Sequence, residues 1–104
     1  MGVSQSIVIA GLDVVIRTEP IEASEGEMLF GMWQQGPIPT ITINSSCTEA
    51  IQRRTLLHEV LEAINDLYGI GLQEEQICAI ETGLADTIIR NPAFLPLVSG
   101  IEPR

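Results

Sequence analysis

Two hydrophobic periods divide the chain near residue 45. Before it, Ile7, Val8 and Ile9, then Leu12, Val14, Val15 and Ile16, form a β-branched run broken by Gly11 and Asp13. This predicts two strands with a tight turn over residues 11–13. Residues 19–27 are acidic and carry Pro20, Ser24 and Gly26, the composition of an exposed loop. Residues 28–34 read as a further strand and Gln35-Gly36-Pro37 as a turn. Thr40-Ile41-Thr42-Ile43-Asn44 alternates strictly, which marks a strand with one buried face. A small antiparallel or mixed sheet of about three or four strands is expected over residues 5–44.

After residue 45 the period becomes helical. Ser46, with Glu49 three residues on, fits a capping box. Ala50, Leu57, Val60, Leu61, Ile64 and Tyr68 then fall on one stripe, and Gly69 suits the left-handed position just past a helix end. A first helix is thus expected over residues 47–68. A second, over residues 72–91, carries Ile77, Ile80, Leu84 and Ile88 and is stopped by Asn91-Pro92, because proline disfavours helical geometry in the residue before it. The tail, residues 92–104, is expected to pack Phe94 and Leu97. The order of strands and then helices predicts an α+β fold in a single domain over residues 1–104.

Composition narrows the range of functions. With 45% hydrophobic and only 18% charged residues, the 104-residue chain can bury a core and is not a disordered segment. Its net charge of −9, with arginine as the only basic side chain besides one histidine, argues against nucleic acid and against an anionic membrane surface. Cys47 and Cys78 are too few for a disulfide framework, so a cytoplasmic setting with reduced thiols is expected. Two motif matches carry little weight. Met1-Gly2-Val3-Ser4-Gln5-Ser6 fits a myristoylation pattern without the basic residues that would assist it, and Asn44-Ser45-Ser46 spells a glycosylation sequon in a sequence with no secretory context.

The lone histidine opens the segment His58-Glu59-Val60-Leu61-Glu62. Residues 58 and 62 are one helical turn apart and project from the same face, while Glu59 lies about 100° round the helix. The pattern is that of the zincin motif H-E-x-x-H with glutamate in the last position. In that motif two ligands hold zinc, and the glutamate beside the first activates water. A carboxylate is an acceptable zinc ligand. The competing reading of the same five residues is an ordinary solvated helix face with His58 at its edge.

The longer segment Thr55-Leu56-Leu57-His58-Glu59-Val60-Leu61-Glu62-Ala63-Ile64-Asn65 resembles the motif helix of small phage and prophage proteins related to ImmA/IrrE-type metallopeptidases, the minimal gluzincins. The resemblance extends to a strand such as residues 40–44 before the helix. It extends also to a second helix led by Leu72-Gln73-Glu74-Glu75-Gln76-Ile77 and ended by Arg90-Asn91-Pro92. It implies His58 as the first metal ligand, Glu59 as the general base and Glu62 as the second ligand. A third ligand would come from the second helix: Glu74 if from its start, Glu81 if from its middle, with Cys78 and Glu75 on the same helix. The implied activity is peptide hydrolysis by metal-activated water. Zinc is the implied ion, and manganese or iron compete for so oxygen-rich a set. Tyr68, Arg53 and Arg54 are the side chains left to stabilise transition-state charge.

Two other readings stay open. One is a zincin-fold phage protein that has lost its chemistry. The other is an acidic module that binds a basic protein partner, imitating DNA phosphates. On each reading the partner is a protein or peptide. The cluster Met28-Leu29-Phe30 with Met32-Trp33 belongs either to the core or to a contact between copies of the chain.

Overall fold

A computed structural model describes residues 5–22 and 29–100. Met28 and the first four residues of the myristoylation match lie outside the described residues. Four strands, β1 (Gln5–Ile9), β2 (Leu12–Glu19), β3 (Gly31–Gln34) and β4 (Thr40–Asn44), precede three helices, α1 (Glu49–Leu67), α2 (Glu74–Arg90) and α3 (Phe94–Ser99). The architecture is α+β, as the change of period predicts.

The sheet is mixed, in the order β1-β2-β4-β3. β1 and β2 form a hairpin, but its turn is Ala10-Gly11, earlier than expected. Both residues have positive φ, 52° and 79°, the geometry of a two-residue turn whose twist matches the flanking strands. Asp13 consequently lies within β2, opposite Val8. β4 runs parallel to β2 and antiparallel to β3, so it is flanked on both sides and is buried from Ile41 to Asn44. β3 takes the outer edge. It starts only at Gly31, because Leu29 and Phe30 approach it outside the ladder, each more than two-fifths exposed.

The Asn44 side chain closes the end of β4. Fully buried, it donates to the Leu29 carbonyl (2.8 Å) and accepts from the Ser46 (3.0 Å) and Ile21 (3.4 Å) amides. Three chain segments are thereby held at one amide group. Ser46 is therefore not the helix cap. The expected capping box is replaced by Thr48, whose hydroxyl accepts from the Ile51 amide, and α1 begins at Glu49.

One face of the sheet packs on α1. Ile9, Val14, Ile16, Ile41 and Ile43 meet Ala63, with Ile7, Trp33, Leu56, Val60, Ile64 and Leu67 around them. The stripe is rotated from the expected one. Tyr68 is 65% exposed and Ala50 is exposed, whereas Ala63 is fully buried in the cluster against the sheet. Alanine carries too little apolar surface to mark a stripe, yet its small side chain is what lets the helix come close. Gly69, at φ 61°, ends α1 as expected.

Asn65 then fixes the return of the chain, bonding both the amide (2.8 Å) and the carbonyl (3.3 Å) of Leu72. α2 starts with the Gln76 side chain accepting from the Gln73 amide, 2.8 Å. Its buried positions are Ile77 and Ala85, with Leu84 and Ile88 half-buried. Ile80, expected on that face, is 42% exposed. Glu81 takes the inward place instead. In the tail, Phe94 is half-buried and Leu97, expected to pack, is 80% exposed. Among the described residues no helix is long and apolar enough to cross a membrane.

Candidate metal centre

α1 has two working faces. While Leu56, Val60, Ala63 and Ile64 meet the sheet, Arg54, His58 and Glu62 succeed one another at four-residue spacing toward α2. From α2, Glu74 in the first turn and Glu81 two turns later reach the same ring. His58 Nε2 lies 3.0 Å from Glu74 Oε1 and 3.8 Å from Glu62 Oε2, while Nδ1 lies 2.8 Å from Glu81 Oε1. Glu81 spends its other oxygen on Arg54, at 2.8 Å from Nη2 and 3.0 Å from Nε. The two carboxylates proposed by resemblance as alternatives thus sit on opposite sides of the imidazole. Glu75, the next residue, is exposed and takes no part.

His58, Glu62 and Glu74 offer donor atoms all within 4.8 Å of one another, as do His58, Cys78 and Glu81. A tetrahedral ion with donors at about 2.1 Å separates those donors by about 3.4 Å. The Nε2 distances of 3.0 and 3.8 Å bracket that value. The one nitrogen and two carboxylates of the first set are a donor set that suits zinc. The second set is less suited, because Glu81 is already bonded through both oxygens. Its Cys78 thiol is held above its ordinary pKa by desolvation and by the charges of Glu74 and Glu81, which disfavours the thiolate.

Glu59 differs from its neighbours. It is 8% exposed and lies beneath Gly31 of β3. Burial, against the opposing pull of His58 and with the repulsion of Glu62, Glu74 and Glu81, pushes its pKa up to about 7. Glu62 is raised as well, by burial and then by Glu74, with which it shares a hydrogen bond. Burial works against the His58 charge, but the bond to Glu81 and the carboxylates of Glu59, Glu74 and Glu81 outweigh it, and its pKa is raised. Four carboxylates thus face only His58 and Arg54. The surplus negative charge is relieved by bound protons or by a cation.

Gly31 lies directly over Glu59. A Cβ there would sit 2.6 Å from Thr55 Cγ2, 2.9 Å from the Thr42 carbonyl and 3.4 Å from Glu59 Cγ, so only glycine lets β3 lie this close to α1. Two clefts meet at this point. One, about 640 Å³, is lined by Phe30, Ile51, Arg54, Thr55 and His58; the other, about 600 Å³, by Met32, Trp33, Glu62, Asn65 and Asp66. Gly31 and Glu59 line both. Trp33 donates from Nε1 to Asp66 Oδ2 at 2.9 Å, tying β3 to the end of α1. The Asn44 amide bonds the Phe30 carbonyl (2.8 Å), so by antiparallel alternation Gly31 and Trp33 turn their backbone N–H and C=O to the free edge, along the clefts.

Of the expected charge stabilisers, Tyr68 points away beyond the helix end, Arg53 pairs with Glu49 on the surface (3.7 Å), and Arg54 lines the cleft with its guanidinium committed to Glu81. Sequence reasoning missed Gly31, which only a close approach could reveal. It also missed the pairing of Glu81 with Arg54. The signal for the latter was an acid on the four-residue row Ile77, Glu81, Ala85, which the larger apolar Ile80 obscured. No protein-family model matches the chain, and neither a characterised protein nor a solved structure matches it.

Proposed function

We propose that the chain is a metal-dependent peptidase-like protein, of the kind that its motif helix resembles in phage and prophage proteins, with His58 Nε2, Glu62 and Glu74 holding zinc. The observation that carries this reading is the convergence of one imidazole nitrogen and two carboxylates beside Glu59, a largely buried glutamate that lines both clefts. When bound, zinc supplies a Lewis acid that polarises a carbonyl and lowers the pKa of water toward neutrality. Glu59, its pKa near neutrality, is suited to accept a proton from water at its carboxylate. It then passes that proton to the amide nitrogen as the C–O bond forms and the C–N bond breaks. The free edge of β3 is suited to pair with an extended peptide, laying its backbone across Glu59. The free thiols of Cys47 and Cys78 fit a reducing, cytoplasmic setting.

A second reading, a fold that has lost its chemistry, is favoured by one observation: the imidazole is fully engaged by side chains, Glu74 on one nitrogen and Glu81 on the other. Metal analysis after gentle purification separates the two. About one zinc per chain, lost in His58→Ala and retained in Glu59→Gln with hydrolysis abolished, is the expected result. A wild-type protein that neither retains nor takes up zinc, manganese or iron overturns the peptidase reading and leaves the second.

A further inference from the structure

The imidazole of His58 has two nitrogens, and the carboxylates around it are not equivalent. Glu74 and Glu62 face Nε2; Glu74 is 62% exposed and Glu62 31%. The Glu81 side chain is only 14% exposed, its Oε1 lies 2.8 Å from Nδ1, and its Oε2 is gripped by Nε and Nη2 of Arg54. Arg54 Nη2 also reaches the Thr82 hydroxyl at 3.5 Å. The carboxylate is thus anchored before it meets the ring. An ionised carboxylate can only accept, so its bond to Nδ1 requires a proton there. By the same rule the contact of Nε2 with Glu74 Oε1 at 3.0 Å holds a second proton while the ring is charged. When one proton leaves, the exposed Glu74 is free to turn away and the anchored Glu81 is not, so Nδ1 keeps its proton and the lone pair falls on Nε2, between Glu62 and Glu74.

We propose that Glu81, anchored by Arg54, is a positioning residue that holds His58 in the Nδ1–H tautomer and presents Nε2 as the metal-binding nitrogen. The inference rests on the metal reading for its consequence, but the tautomer itself belongs to the metal-free protein. A carboxylate behind a ligating histidine fixes the ring's orientation and raises its basicity, and losing such a partner weakens metal affinity by about 10–100-fold. Here the partner comes from a different helix. Docking of α2 therefore sets both the ligand Glu74 and the orientation of His58.

The test uses the full chain, with and without zinc. In long-range ¹H–¹⁵N spectra of the metal-free wild type, at a pH where the ring is neutral, the proton is expected on Nδ1. Glu81→Ala should shift the population toward Nε2–H. Glu81→Gln keeps an acceptor oxygen of the same shape and should retain the Nδ1–H tautomer more fully, so the tautomer can still be read if the alanine variant misfolds. Zinc titration should give about 10–100-fold weaker binding for Glu81→Ala, with a smaller loss for Glu81→Gln. Binding in Cys78→Ser should be unchanged, and cobalt(II) substitution should give no sulfur-to-metal charge-transfer band.

The same tautomer in wild type and Glu81→Ala overturns the proposal. So does loss of zinc in Glu81→Ala as complete as in His58→Ala, which makes Glu81 a ligand, or weakened binding in Cys78→Ser, which places the ion at Nδ1. If no variant, wild type included, binds zinc, the metal reading fails and the spectra alone decide the role of Glu81.

Discussion

α1 is held on two sides by different physics. Toward the sheet the seam is apolar: among the described residues, six of the eight buried hydrophobic ones belong to the cluster that includes Ala63. On α2, among the described residues, only Ile77 and Ala85 are buried, and between the two helices stand the ionic side chains of Arg54, His58, Glu62, Glu74 and Glu81, with Glu59 beside them beneath β3. The first kind of contact is insensitive to pH and indifferent to ligand. The second depends on the protonation of its members, and a cation can replace the proton. The scaffold is therefore separated from the responsive part by the width of one helix.

The largest blow to the comparison falls on the sheet side. Ile41 is fully buried in β4, and Ile41→Ala should cost about 4 kcal/mol through lost transfer energy and the cavity left behind. Denaturant unfolding measures this, and the loss should be the same at pH 5 and pH 8. A loss that varies strongly with pH would mean that the two seams are not separable.

Next comes the ionic side, where the sign can be worked out. The pKa of Glu59 rises on folding from 4.5 to about 7, so the folded state holds a proton that the unfolded chain has already released; stability falls as pH rises through that window. His58 is raised as well, so its contribution is fully present below 6.5 and is lost as pH rises through its folded pKa. The raised Glu62 adds to the same slope. Thermal unfolding should therefore show a more stable protein at pH 5 than at pH 8. Glu59→Gln should be more stable than wild type at pH 8, by roughly 3 kcal/mol at most, and near wild type at pH 4. A flat profile in the wild type would remove Glu59 from its buried, charge-sensitive role. Added zinc should restore stability selectively at the higher pH.

The smallest expected effect lies where the two regions meet. Gly31→Ala drives a methyl group against Thr55 and the Thr42 carbonyl and should cost about 2 kcal/mol, as overpacking does. The cost should vary little with pH if Thr55 and the strand absorb the shift. A steep pH dependence would place the strain on Glu59 instead.

Much of the frame was legible in the sequence. Strict alternation in residues 40–44 announced β4, Gly69 and Asn91-Pro92 announced both helix ends, and the four-residue spacing of His58 and Glu62 announced that the two side chains meet on one face of α1. The strand order was not. The parallel pairing of β2 with β4 puts β3 on the outer edge, a tertiary choice that period-2 patterns do not encode. The cap shifted from Ser46 to Thr48 because Asn44 claims the Ser46 amide, a contact made by a side chain whose burial only the folded sheet creates. Glu81 was hidden for a related reason. An acid on an inward row reads as an error of the stripe until its partners, Arg54 and His58, arrive from another helix. Ala63 and Gly31 matter through what they lack, and absent side chains leave no hydrophobic signal.

The buried amide of Asn44 has a consequence for chain length. It accepts from the Ile21 amide and donates to the Leu29 carbonyl, so two points of the chain are tied to a single side chain. Lengthening the chain between two fixed points costs little: each doubling adds only about 0.6 kcal/mol of closure entropy. An affinity tag, a fluorophore-bearing peptide or a small folded domain spliced between those two residues would be insulated from β3, and through it from the histidine, by one side chain. The place for a handle on this protein is therefore already built into it, at the end of the sheet strand that carries the least exposed surface.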